Sequence, residues 1–135
     1  MSVAKLAEQW IAAMNAHDVG GMAALLTEDA VGDEVAEAEP RRGRDSIAEG
    51  YREVFAGYPD CTAEMLNRVI GEDQVVVEVR FKGTNKGAFR GTPATNKPID
   101  VRIAYIIKAR RGKIERVTEY YDLVMLLTQQ GMMPK

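Results

Sequence analysis

The chain has little of what marks most specialised protein classes. Its 135 residues include one cysteine, one histidine and one tryptophan. A lone Cys61 excludes an internal disulfide and fits a reducing compartment, so a cytoplasmic location is expected. One imidazole and one thiol also leave no basis for a zinc site of the usual kind. No apolar run approaches the roughly 20 residues that span a bilayer, and MSVAKLAEQW lacks a continuous apolar export signal. Neither charge sign dominates: 18 Lys and Arg against 20 Asp and Glu give a net charge of −2, which argues against nucleic acid as a partner. No phosphate loop, dinucleotide fingerprint or nucleophile elbow occurs, so no cofactor is implied.

What is present is periodicity. Val3, Leu6, Trp10, Ile11 and Met14 are spaced three and four apart, which predicts a helix over 3–16 with Ser2 as its cap. Asp18 can cap a second short helix carrying Met22, Leu25 and Leu26. A short strand is expected over 30–34, followed by an acidic loop ending at Pro40. Ile47, Tyr51, Val54 and Phe55 then mark a third helix.

After Tyr58-Pro59-Asp60 the period changes to two. Strands are predicted over 62–70, 74–82, 99–108 and 114–121, with a glycine-punctuated excursion over 83–98. Val75, Val77, Val79 and Phe81 share one face, as do Ile99, Val101, Ile103, Tyr105 and Ile107. A short helix is expected over 123–130. Helices first and a strand meander afterwards predict one α+β domain over 1–135, with three N-terminal helices packed on a curved, mixed or antiparallel sheet. An apolar sheet face longer than its helices leaves an interior pocket for a small hydrophobic molecule.

Several side chains could carry chemistry. Asp122 stands at the junction of strand and helix, where it could cap the helix or act as an acid/base at the pocket mouth. Glu34 closes the first strand among Asp33, Glu37 and Glu39, which also suits a solvated strand-end acid. His17 reads as an interhelix loop residue. Asp100 and Arg102 share a strand face and could activate a water, although an outer sheet face explains them as well. The walls are expected to include Trp10, Met14, Phe55, Val77 and Thr118, with Tyr105 and Tyr120 placed to hydrogen-bond an oxyanion.

The stretch from Tyr58, YPDCTAEMLNRVIGEDQVVVEVRFKGTNKGAFRGTPATNKPI, followed by RRGKIERVTEYYDLVMLLTQQG, resembles the SnoaL-like polyketide cyclase branch of the nuclear transport factor 2-like superfamily. That branch shows F/Y-P-D, G-D-x-V, a G-T-H-x-G-x-F-x-G-x-P-x-T-G-K loop and a closing G-K-I-x-E-x-W-x-x-x-D-x-x-x-L-L-x-Q-L-G. The resemblance implies a cone-shaped fold, a homodimer and a cofactor-free enzyme, with Asp122 on the family's catalytic aspartate. Asn85 and Thr118 depart from the loop histidine and the tryptophan, and Asn96 replaces the turn glycine.

A second segment, EDAVGDEVAEAEPRRG, is similar to the part of ketosteroid isomerases that holds their general base, which falls on Glu34. Their oxyanion tyrosine falls on Trp10 and their second acid close to Ala104, neither of which can replace it. Together these likenesses imply acid/base chemistry next to a carbonyl, or hydrophobic-ligand binding without chemistry.

Overall fold

A computed structural model describes residues 2–133. Ten elements follow in the order α1 (Val3–Asn15), α2 (Val19–Ala24), β1 (Leu26–Glu34), β2 (Arg41–Arg42), α3 (Arg44–Gly57), β3 (Thr62–Ile70), β4 (Gln74–Thr84), β5 (Pro98–Arg110), β6 (Lys113–Tyr121) and α4 (Leu123–Gln130). Six strands form one curved mixed sheet in the order β2-β1-β6-β5-β4-β3. All neighbours are antiparallel except β1 and β6, which run parallel. Three helices precede the main meander as expected, and the fourth follows it. β1 begins four residues earlier than the sequence pattern suggested, and the two-residue β2 has no sequence signal of its own.

Local chemistry sets the boundaries. Ser2 caps α1 by accepting from the Lys5 N–H at 3.2 Å, and Asp18 caps α2 by accepting from Gly21 N–H at 2.9 Å. The apolar stripe of α1 is wholly buried, with Leu6, Trp10 and Met14 among the least exposed side chains. The alternating faces of β4 and β5 point Val75, Val77, Val79 and Phe81, and Ile99 through Ile107, onto the helices. Their partners Arg80 and Asp100 face outward and pair with each other at 2.6 Å, so Asp100 belongs to the solvated face.

The excursion between β4 and β5 folds back over the end of α3. A Cβ at Gly87 would collide with the Ala56 carbonyl oxygen, and one at Gly57 would lie 3.0 Å from the Phe89 side chain. Only glycine allows this approach. Asn96 takes φ 60°, the left-handed conformation expected for a residue standing in for glycine. Asn85 is 2% exposed and stitches the loop together. Its amide donates to the Gly57 and Gly87 carbonyls, and its side-chain oxygen accepts from Thr95 N–H at 2.9 Å.

Candidate functional site

Between the inner sheet face and helices α1 and α3 lies a cavity of about 470 Å³. Most of its wall is apolar, built by Ile47, Val54, Phe81, Ile99, Val101 and Ile103 among others. Polar groups gather at the open end, where Glu37 and Glu39 are exposed to solvent. One strand further in stands Glu119 on β6.

Glu119 reaches the interior through a fault in the ladder. Its strand starts with Ile114 facing inward, and strict alternation would then send Arg116, Thr118 and Tyr120 the same way. The register between β5 and β6 instead shifts between Lys108 and Ala109, opposite Arg116 and Ile114, leaving Glu115 as an extra residue. A one-residue bulge exchanges the faces of everything beyond it. Val117, Glu119 and Tyr121 therefore line the cavity, while Tyr120 is 48% exposed on the other side.

The Glu119 carboxyl faces this apolar hollow, where burial, reinforced by the negative charge of Glu34, pushes it up from 4.5 to about 7. Two influences act against that rise. Tyr51 on α3 donates its hydroxyl to Glu119 Oε1 at 2.6 Å, and the charge of Arg90 lies near. Tyr105 on β5 stands opposite Glu119 in the ladder, with its hydroxyl 3.9 Å from Met14 Sδ. Burial pushes the Tyr51 and Tyr105 phenols well above their ordinary range, so both keep their protons as donors.

Glu34 is the ladder partner of Glu119 across the parallel junction, so the two carboxylates project from adjacent strands. Tyr121 donates to Glu34 Oε2 at 2.7 Å. Arg90 Nη1 lies 3.1 Å from the same oxygen, bonds Glu37, and reaches Glu53 through Nε at 3.2 Å. Its backbone sits at the tip of a tight Phe89–Thr92 turn, with φ 47° at Arg90 and 83° at Gly91. Both positive angles match the turn that joins hairpins with two residues. From there the side chain folds back, 22% exposed, over the Phe89 ring at 4.7 Å. Glu34, Glu37 and Glu53 are thus gathered around Arg90, Glu53 pairing also with Arg41, and among the described residues Glu119 has no paired cation.

Of the residues expected from sequence, Glu34, Met14 and Tyr105 line the cavity. The others do not. Asp122 is exposed and caps α4, its Oδ1 accepting from Met125 N–H at 3.0 Å, so the acid at the seam is placed in solvent and not at the mouth. Trp10 is 0% exposed and packs edge-on to Tyr51 at 5.4 Å, behind the wall. Phe55 stacks on His17 at 4.5 Å, and His17 Nε2 bonds the Cys61 carbonyl at 2.9 Å, tying the α1–α2 loop to the segment before β3. Val77 is sealed in the core. Thr118 and Tyr120 lie on the face that the bulge turned away. Sequence reasoning missed Glu119, Tyr51, Tyr121 and Arg90. Tyr51 was legible as a core position, but the parity change hid the two β6 residues. Among the described residues, no cluster of three or more His, Cys, Asp or Glu side chains could hold a metal ion.

Comparison with known proteins fits this geometry. No curated protein matches the chain. A candidate SnoaL-like polyketide cyclase from Jannaschia sp. CCS1 is 17% identical with a TM-score of 0.88, covering 97% of this chain and 92% of that one. IdmH, a candidate polyketide cyclase from Streptomyces antibioticus, is 24% identical with a TM-score of 0.81, covering 97% and 99%. A protein of ketosteroid isomerase-like fold from Catenulispora acidiphila, solved with trimethylamine, is 22% identical with a TM-score of 0.82, covering 96% and 94%. These likenesses establish the fold. The model of the SnoaL-like polyketide cyclases matches residues 4–130, and the chain belongs to that family.

Proposed function

We propose that the protein is a cofactor-free enzyme that moves a proton at carbon next to a carbonyl in a small, largely apolar polyketide- or steroid-like molecule. The observation that carries this reading is the Glu119 carboxyl. It sits in an apolar cavity, held by Tyr51, with its proton affinity raised to about 7. A group titrating there is half ionised near neutrality and can both take and return a proton.

In the proposed reaction the ionised Glu119 removes a proton from the α-carbon, and the C–H electron pair moves to the carbonyl oxygen as an enolate. Tyr105, fixed by packing and still protonated, donates to the developing oxyanion. Tyr51 holds the carboxyl in place. The proton then returns to another carbon, giving isomerisation. Alternatively the enolate carbon attacks a second carbonyl and the new alkoxide takes the proton, giving ring closure. Neither course needs an oxidant or reductant. Arg90 offsets part of the negative charge of Glu34, Glu37 and Glu53, which would otherwise repel the enolate more strongly.

The test is proton exchange in heavy water with 2-tetralone, an apolar and readily enolised ketone, followed by NMR. One positioned acid/base contributes roughly a hundred- to ten-thousand-fold. Glu119→Gln should reduce exchange on that scale, and undiminished exchange would refute the mechanism. A second reading, ligand binding without chemistry, draws support from Asn85. The residue at the family's histidine position is consumed by loop hydrogen bonds, and its amide cannot take up and release a proton as an imidazole would. Binding of 2-tetralone with no exchange in the wild type would select that reading.

A further inference from the structure

The charged side chains that line the cavity are five carboxylates and two guanidiniums, with no lysine or histidine among them. Neither guanidinium is free. Arg41 bonds Glu53 at 2.9 Å and the Ser46 carbonyl at 3.1 Å, and Arg90 is shared by Glu34, Glu37 and Glu53. The acids are less fully matched. Glu37 is half exposed and shares its one cation, and Glu39, exposed at the same opening, has no ion-pair partner among the described residues.

The chain as a whole carries only −2, so its surplus of acid is concentrated on this one wall, and the surplus persists when Glu119 is protonated. A ligand is implied independently of these charges. The hollow is apolar, and Tyr105, 2% exposed on its wall, has a hydroxyl bonded only to the weak acceptor Met14 Sδ at 3.9 Å. An anion entering here is repelled and finds no spare guanidinium, because recruiting Arg41 or Arg90 would strip the carboxylates they hold. A cation meets the opposite. Glu37 and Glu39 already face water at the mouth, so pairing with them costs little desolvation.

We infer that the cavity selects its ligand by charge: it takes an apolar molecule whose polar end, left at the mouth, is a cation such as a protonated amine, and it turns away carboxylates and phosphate esters. Glu37 and Glu39 set this preference. The inference rests on the cavity being a ligand site, as proposed above, but not on Glu119 doing chemistry. An ammonium at the mouth also offsets the negative charge that an enolate would add further in.

The probes are 2-(1-naphthyl)ethylamine, 1-naphthylacetamide and 1-naphthylacetate, which share one apolar body and differ in the charge of the arm. Calorimetric titration at pH 7 and low salt should find the amine about tenfold tighter than the amide, and the amide about tenfold tighter than the carboxylate. In 1 M NaCl, where screening acts within about 3 Å, the three affinities should converge to within about threefold. The double variant Glu37→Gln, Glu39→Gln should cut the amine-to-carboxylate ratio about tenfold at low salt. Glu119→Gln should keep the order, which separates this inference from the acid/base mechanism. Any other order of affinities, or an order that survives the double variant or high salt undiminished, would overturn the inference and leave the cavity a ligand site. Binding of none of the three would overturn both.

Discussion

If the Glu119 carboxyl is as desolvated as its surroundings imply, the protein must lose stability as pH rises through the range where the unfolded chain ionises and the folded chain does not. The group titrates near 4.5 when free and near 7 when folded. Below pH 4.5 it is protonated in both states and contributes no difference. Between 4.5 and 7 the folded state binds the extra proton, so stability falls by about 1.4 kcal/mol per pH unit. Above 7 the loss levels off at about 3 kcal/mol. Glu119→Gln removes this dependence. The amide oxygen can still accept from Tyr51, so any constant offset between the proteins is irrelevant and only the slope matters. Urea unfolding followed by the fluorescence of Trp10, the single tryptophan and fully buried, would give the difference between the two proteins at pH 4 to 8. The mutant should gain on the wild type by about 3 kcal/mol over that range. A flat difference would show the carboxyl to be solvated and would remove the basis for its proposed role. Glu34→Gln should lower the Glu119 midpoint less than full solvation would, because burial is the larger cause and the neighbouring charge the second.

Three further outcomes follow from the site. The α-proton exchange rate should rise with pH and level off above about 7, as the carboxylate form accumulates; a rate independent of pH between 5 and 8 would exclude Glu119 as the base. Arg90→Met should destabilise the protein by about 2 kcal/mol, between the worth of exposed and buried ion pairs, since the guanidinium is 22% exposed and joins Glu34, Glu37 and Glu53. It should also move the Glu119 midpoint upward, because Arg90 is among the charges that lower it. Asp122→Ala should cost about 1 kcal/mol in urea unfolding through loss of the α4 cap and leave exchange within about threefold of wild type; a loss of exchange as large as that expected for Glu119→Gln would return the catalytic role to Asp122.

The fold was legible where periodicity was unbroken. The stripe of α1, the caps at Ser2 and Asp18, and the inward faces of β4 and β5 all follow from spacing alone, since each side of those elements meets one environment. The site was legible only in part. Met14 and Tyr105 lie on elements whose facing the pattern fixes, whereas Glu34 was singled out by the likeness to ketosteroid isomerases, β1 having no regular alternation. On β6 the bulge at Glu115 reversed the parity, so Thr118, Tyr120 and Asp122 looked like an inward row when Val117, Glu119 and Tyr121 are. Two inward residues three apart, Ile114 and Val117, were the available sign of that reversal. Arg90 could not be placed from sequence, because it reaches the rim only through a loop folded back onto α3.

The parallel junction of β1 with β6 has a consequence for the order of assembly. More than half of the chain, residues 35–112, lies between these two strands, and the acids facing each other across the junction belong to its first third and its last sixth. The hollow cannot close until β6 has been made and has found β1, which is the slowest kind of pairing for a chain to complete. Until then the greasy inner surface of β4 and β5 stands without its full cover, so the half-made molecule is the form most prone to clump. A protein built this way depends on rapid closure of its last strand to stay out of aggregates during synthesis.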